Sequence, residues 1–334
     1  MSKVSVLIAV YNSEKYLAEC LDSVCSQSLQ DIQIICIDDC STDSSLELLQ
    51  QYAAKDKRIC IIHLTENCGQ AVARNKGLQI ADGEYIMMLD SDDWLAHDSI
   101  EKVYKSITSD DDIDCALFNL IYYHQDLQQT ERYLNRTKQT SFSGEKAFIL
   151  SLDWSLHGVY MIRSSIHHAY PYDTSCRLYS DDNTTRQHYL HSRRVILSDG
   201  IYYYRRHSES MTTRISVRRF DYMEANLSKK RTLLAEAAKG NLTNQEVILN
   251  KYETHRWLNV VDSYWLYHSN KKIFSLEERQ KIEDRIASIL STMERHRISP
   301  SIRWKFGYFP FRSYKMFALI EDCYFNLRKF LLHR

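Results

Sequence analysis

Four short apolar runs, VSVLIAV (4–10), IQIICID (32–38), ICIIHL (59–64) and YIMMLD (85–90), recur through the opening quarter of the chain. Each is rich in Ile, Val or Met and too continuously apolar to keep one wet face. Between them the pattern turns helical: Leu17, Cys20, Leu21, Val24 and Cys25 follow i, i+3, i+4 spacing, with Asn12 or Ser13 suited to the N-cap. Ser44 and Glu47 have capping-box spacing ahead of LLQQYAA, and a third helix fits QAVARNKGLQIA. Strands buried on both faces and alternating with helices specify a parallel sheet covered on either side. The fold class is therefore α/β, a doubly wound Rossmann-like sheet with helices on both faces.

Ligands of such sheets bind beyond the carboxyl ends of the strands. Those ends read YNSE, DDCSTD, TENCGQAVARN and DSDD. In the last of them Asp90, Asp92 and Asp93 crowd together with Ser91, an arrangement whose mutual repulsion calls for a positive partner. Hard carboxylate oxygens suit Mg²⁺ or Mn²⁺, with phosphate oxygens and water completing the shell. The alternative is a solvated acidic turn, with Asp93 capping the helix over WLAHDSIEKVY. Asp38 and Asp39 close the second strand, where a carboxylate can accept hydrogen bonds from a base or a ribose; helix capping by Ser41, Thr42 and Asp43 is the other reading. No G-x-G-x-x-G and no P-loop motif follows any strand, so phosphates need a metal or basic side chains, which D-x-D-D and Arg74 offer.

Lys plus Arg and Asp plus Glu both number 43 among 334 residues, so net charge points to no nucleic-acid partner. Nine cysteines, scattered and without a C-x-x-C, argue against a disulfide framework or zinc site and for a reducing compartment. The run at 4–10 is too short for a signal peptide, and no stretch approaches the roughly 20 apolar residues of a spanning helix. The expected location is the cytoplasm or the inner face of the cell membrane. Residues 114–123 and 193–206 look like strands, and everything from about 216 reads as helix. This suggests a catalytic domain over 1–215, with a nucleotide half to about 110 and an acceptor half over about 111–215, followed by a helical region over 216–334.

In the tail, 300–334, Arg303, Lys305, Arg312, Lys315, Arg328, Lys329 and Arg334 face only Glu321 and Asp322. Phe317, Ile320, Tyr324, Leu327 and Leu331 recur at 3- and 4-residue steps, giving one apolar face. That face suits an anionic membrane, the protein's own core, or a second copy in a homodimer.

The blocks VSVLIAVYNSEKYLAECLDSVCSQSLQDIQIICIDDCSTDSS, NCGQAVARNKGL and GEYIMMLDSDD, in this order, resemble the N-terminal half of the bacterial family 2 glycosyltransferases of cell-surface polysaccharide synthesis, which have the GT-A fold. The resemblance resumes at LYSDDNTTRQHYL and IYYYRRHSESMT. It implies an inverting, metal-dependent transfer of a hexosyl-type sugar from a nucleotide-sugar donor to a hydroxyl of a saccharide or lipid-linked acceptor. The metal would be Mn²⁺ or Mg²⁺, and UDP-sugars are favoured because the Asp39 and Asn67 positions suit uracil.

Carried over residue by residue, the resemblance puts Val10 and Tyr11 against the base, Asp39 on it and Asn67 beside it. Arg74 lies near the nucleotide, Asp90 and Ser91 toward the ribose, and Asp92 on the metal, with His207 approaching metal or pyrophosphate. Asp182 falls at the catalytic base, the second member of a pair usually written Glu-Asp; Asp181, one methylene shorter than Glu, supports it, and Arg206 is a further supporting residue. Cys40 stands where Gly is common. Residues 142–166 resemble the acceptor-side segment, with Trp154 or His157 able to meet a sugar or simply to fill the core. Two rival functions are a sugar nucleotidyltransferase, which generally begins with a Gly-rich loop unlike VYNSEKY, and a non-catalytic nucleotide-binding scaffold.

Overall fold

The computed structural model describes residues 2–175, 179–207, 215–305 and 307–332. It forms two compact units, residues 1–213 and 214–334.

The first unit runs β1 (Val4–Val10), α1 (Glu14–Cys25), β2 (Ile32–Asp38), α2 (Ser45–Lys55), β3 (Ile59–His63), α3 (Gln70–Leu78), β4 (Tyr85–Met88), β5 (Trp94–Leu95) and α4 (Ser99–Ile107). It continues with β6 (Ile113–His124), β7 (Gln129–Arg132), β8 (Ser141–Ser143), α5 (Gly144–Ser151), β9 (Tyr160–Arg163), α6 (Ser164–Ala169), α7 (Ser180–Leu190) and β10 (Arg194–Arg206). The sheet order is β3-β2-β1-β4-β9-β6-β10-β5, with β7 added to β6 and β8 to β10. β3, β2, β1 and β4 are parallel, as the apolar runs imply. The sheet then becomes mixed, because β9 enters antiparallel between β4 and β6. Only four residues long, β9 is too short to leave a periodic signal.

The two-residue period of β1 sorts its side chains into two helical layers. Val4, Val6, Ile8 and Val10 pack with Leu17, Leu21 and Val24 of α1. Leu7 faces the other way, toward Ala71, Ala73 and Leu78 of α3. Burying each such Val or Leu is worth roughly 1.5–3 kcal/mol, which is why this register is firmly held. β10 presses against α4 at Gly200, where a Cβ would come within 2.5 Å of the Ser99 carbonyl.

Two expected caps are rearranged. Ser44 takes the N-cap position of α2 but makes no side-chain cap; Asp43 accepts from the Ser45 N–H instead, at 3.0 Å. Ser13 takes the N-cap position of α1, and its hydroxyl turns away to share a 2.7 Å hydrogen bond with Ser91.

The second unit contains α8 (Tyr222–Ala238), α9 (Gln245–Asn270), α10 (Leu276–Ser291), α11 (Pro300–Arg303) and α12 (Tyr314–Leu332). Its core gathers Trp257, Val260, Val261 and Tyr264 of α9 around Ile282 and Ile286 of α10 and Phe317 and Phe325 of α12. Phe317 is wholly buried, with its ring 5.5 Å from Trp257 and 5.0 Å from Tyr264. Of the predicted apolar face, Phe317 therefore closes this unit's own core, Ile320 and Tyr324 are half-buried, and Leu327 is exposed. The Leu331 side chain and Arg334 lie outside the described residues. Among the described residues, no helix is long and apolar enough to cross a membrane.

Candidate active site

The loops that follow β1 and β2 are stitched together before any ligand is considered. Asn12, at φ 50°, accepts from the Thr42 N–H at 2.8 Å and donates its own N–H to Ser41 at 3.1 Å. Cys40 also adopts a left-handed φ, 60°, which accounts for the glycine common at this position. Asp39 is 3% exposed, and its carboxylate accepts the N–H groups of Cys68 and Gly69, both at 2.8 Å. Its backbone N–H donates to Val10 and its carbonyl accepts from the Asn67 amide at 3.1 Å. Val10, Asp39 and Asn67 are thus brought together. The carboxylate expected on the base also holds the entry to α3, where Gly69 has φ 89°. Tyr11 stands at the lip, 48% exposed.

The three clustered aspartates have three different environments. Asp90 pairs with Arg74 Nη2 at 2.5 Å, and Gln70, one helical turn earlier, donates to the same oxygen at 3.1 Å. Arg74 is 1% exposed, lies 5.3 Å from the Tyr172 ring, and has no hydrogen-bond partner for Nε or Nη1. Burial pushes the Asp90 pKa up against the pull of Arg74, and the charges of Asp92 and Asp181 add to the rise.

Asp93 faces inward. It accepts from the Tyr202 hydroxyl at 2.8 Å and from the Arg205 N–H at 2.7 Å. It does not cap the following helix: β5 intervenes, and Asp98 holds the N-cap position of α4. Burial, reinforced by the charges of Asp92 and Asp90, lifts its pKa well above the usual carboxylate range. Tyr202 also accepts the Asp90 N–H at 3.1 Å, and Arg205 Nε donates to the Asp92 carbonyl at 2.8 Å. The Arg205 guanidinium lies 4.9 Å from the Tyr16 ring and 4.5 Å from that of Trp94, and pairs with Glu19. Tyr202 and Arg205 were not foreseen, because their partners lie more than a hundred residues earlier in the chain.

Asp92 points to the remaining side. Its Oδ2 lies 3.2 Å from His207 Nε2, and the His207 ring packs 4.8 Å from Tyr16. The carboxylate and the imidazole are thus close enough that both would contact one divalent cation, the carboxylate being the ligand that suits Mg²⁺ or Mn²⁺. Among the described residues no group of three or more His, Cys, Asp or Glu side chains could hold a metal. A cation here would complete its shell with phosphate and water oxygens, the habit of Mg²⁺ in phosphate-handling sites.

The paired aspartates of α7 have different environments. Asp182 is 2% exposed and bonded to Arg186, one turn on. Arg186 is itself 2% exposed, donates to the Ser151 carbonyl at 2.8 Å and stacks 4.9 Å from the Trp154 ring. Asp181 is half-buried and within the electrostatic reach of Arg74 and Asp90. Burial raises its pKa, Arg74 works against the rise and Asp182 adds to it. The Asp-to-Arg spacing of four residues on a helix was the available signal for the buried pair. Arg206 is not brought to the acidic loop: it is exposed and stacks 3.8 Å from Tyr122. His157 is 4% exposed, accepts from the Val159 N–H at 3.2 Å, and is held by burial at a pKa of about 4, a neutral core group.

An α/β sheet of this order with acidic loops at its carboxyl ends is a GT-A fold. Staphylococcus aureus TarS 1–349, solved in complex with UDP-GlcNAc, superposes with a TM-score of 0.73 at 18% identity, over 97% of this chain and 92% of that one. In sequence, residues 5–170 match the family model Glycosyl transferase family 2. Glycosyltransferase GlyG of Streptococcus pneumoniae serotype 4 is 31% identical over 222 residues, covering 62% of this chain and 72% of GlyG. The poly(ribitol-phosphate) beta-glucosyltransferase of Bacillus spizizenii is 46% identical over 105 residues, 30% of this chain and 17% of that protein. The chain belongs to glycosyltransferase family 2.

Proposed function

We propose that this chain transfers a sugar, with inversion, from a UDP-sugar to a hydroxyl of a saccharide or lipid-linked acceptor in surface-polysaccharide synthesis. One observation carries the reading: Arg74, buried with two unpartnered nitrogens, lies within reach of both Asp90 and Asp181, beside the Asp92–His207 pair. A guanidinium so exposed to unmet hydrogen bonding suits an anionic diphosphate. The UDP-GlcNAc complex of TarS and the poly(ribitol-phosphate) glucosyl transfer for which the Bacillus relative is named support the donor and polymer class. Asp39 keeps lone pairs for a uracil N–H even with two amides bound, and Tyr11 is exposed where a base can lie on it.

In this reading Asp181, rather than Asp182, is the general base. Its carboxylate takes the acceptor's hydroxyl proton as that oxygen forms the bond to the anomeric carbon. The bond from that carbon to the diphosphate breaks on the opposite face, and UDP leaves. Burial raises the Asp181 pKa, and a positioned general base contributes about 10²–10⁴-fold. Arg74 orients the diphosphate and stabilises Asp90 as its ionised partner. Held by Asp92 and His207, Mn²⁺ or Mg²⁺ would supply Lewis-acid neutralisation of the leaving group's charge. A lipid-linked acceptor would bring the protein to the inner face of the membrane.

The test is a sugar-nucleotide panel with Mn²⁺, read as slow donor-specific release of UDP, together with Asp181→Asn. The variant is expected to lose at least about a hundredfold in transfer with UDP affinity nearly unchanged. Ordinary turnover in Asp181→Asn would overturn the base, and no donor-specific release would overturn the reaction.

A further inference from the structure

Helix α12 has a second apolar face, distinct from the one that closes the core. Met316 is 47% exposed, Leu319 58%, Leu327 48% and Phe330 58%, and Cys323 is exposed as well. At 3.6 residues per turn these five positions share an arc of about 80°. Single exposed apolar residues need no explanation, but a continuous stripe does. Phe317 and Phe325 lie on the opposite side, wholly buried and 3% exposed, so the stripe is not the packing face misplaced.

The charge beside the stripe is mainly cationic. Lys315 and Lys329 lie along one edge and Arg312 precedes the helix, whereas Arg328 projects from the far side; all four are exposed. Of the acids of the helix, Glu321 is buried, and Asp322, on the same edge as the two lysines, is engaged by Tyr264 at 2.7 Å and His268 at 2.9 Å. A second copy docked stripe to stripe would set these cations against their equivalents. An anionic lipid surface would receive both parts of the pattern, apolar side chains entering the acyl boundary and cations meeting headgroups.

We propose that the Met316–Leu319–Leu327–Phe330 stripe is the surface by which the C-terminal unit lies on an anionic bilayer, with α12 parallel to its plane. The proposal does not depend on the transfer reaction. Its experiment is flotation of the full chain with phosphatidylcholine vesicles and with vesicles containing phosphatidylglycerol, beside Leu319→Ser/Leu327→Ser and Lys315→Gln/Lys329→Gln. The protein should float with the anionic vesicles and stay behind with the neutral ones. The serine variant should lose at least about tenfold in partitioning, since two buried side chains leave the interface. The glutamine variant should lose roughly fivefold for each cation removed, and salt should weaken binding in the same direction. All substituted positions are exposed, so donor hydrolysis and the circular dichroism spectrum should not change. Equal flotation of the serine variant, or equal binding to neutral vesicles, overturns the proposal. A wild type that ignores vesicles overturns it too, and if that protein is a dimer that the serine variant makes monomeric, the stripe belongs to a second copy instead.

Discussion

Replacing Glu321 by Gln should change the stability of α12 in a strictly pH-dependent way. Glu321 is wholly buried on the inner side of that helix, and neither carboxylate oxygen has a hydrogen-bond partner. Burial, with the neighbouring charge of Asp322 added, raises its pKa from 4.5 to about 8. An acid whose folded pKa lies above its unfolded value contributes full stability below the unfolded pKa and loses it as pH rises through the folded one. Within that window the unfolded chain is ionised while the folded chain still holds its proton. Each pH unit therefore removes about 1.4 kcal/mol from the docking of α12. Across the whole window the loss approaches about 5 kcal/mol, comparable with the entire stability of a small domain. This is an upper figure, since a surface helix gives its carboxylate water by a small outward shift. Hydrogen exchange of peptides from α12 measures the opening directly. Variant and wild type should exchange alike near pH 4.5, and by about pH 8 the wild type should open at least a hundredfold more often. A ratio that stays constant with pH would refute the reasoning, because the orphaned amide of Gln reproduces everything except ionisation.

Asp182→Asn should destabilise the first unit by about 3 kcal/mol, because it strips a buried guanidinium of its counter-charge; urea unfolding reads this. Tyr202→Phe leaves the Asp90 N–H and the Asp93 carboxylate each short of a partner and should cost about 1–3 kcal/mol in the same assay. Asp92→Ala should weaken UDP binding in Mn²⁺ and leave it unchanged in EDTA, whereas Asp93→Asn should keep the metal response intact; calorimetric titration separates the two. Cys40→Gly relieves a left-handed residue at some gain in unfolded-chain freedom, so thermal unfolding should show a rise equivalent to about 1 kcal/mol at most.

Where burial dictates the pattern, the sequence is readable. β1 to β4 lie between two helical layers, so nearly every side chain is apolar and each run stands out. Their ends then locate the acidic loops without further information. The mixed half of the sheet is harder, because β9 has four residues and β10 carries a register irregularity between Leu197 and Ile201. Asp90, Asp92 and Asp93 were legible as a cluster, and the resemblance separated Asp90 from Asp92, but their three environments were not legible. Those depend on Arg74, on Tyr202 with Arg205, and on His207, partners that meet the loop only in space. The ion pair of Asp182 with Arg186, which underlies the proposed role of Asp181, is one that a helical reading of DNTTR could have supplied. Ser13 shows the opposite limit: its position marks a cap, while its hydroxyl answers to a serine in another loop.

The bracing of the acidic loop by β10 has a practical consequence for engineering. Residues 1–110 contain the loops that follow β1 to β4, yet the clamps on Asp92 and Asp93 arrive on a strand that ends at Arg206. A fragment ending near residue 110 would leave the Asp92 and Asp93 carboxylates without the groups that hold them, while Asp90 would keep Arg74 and Gln70. Chimaeras that exchange the residues beyond about 110 between relatives should therefore graft Tyr202 through His207 together with the loop they grip, as a single part.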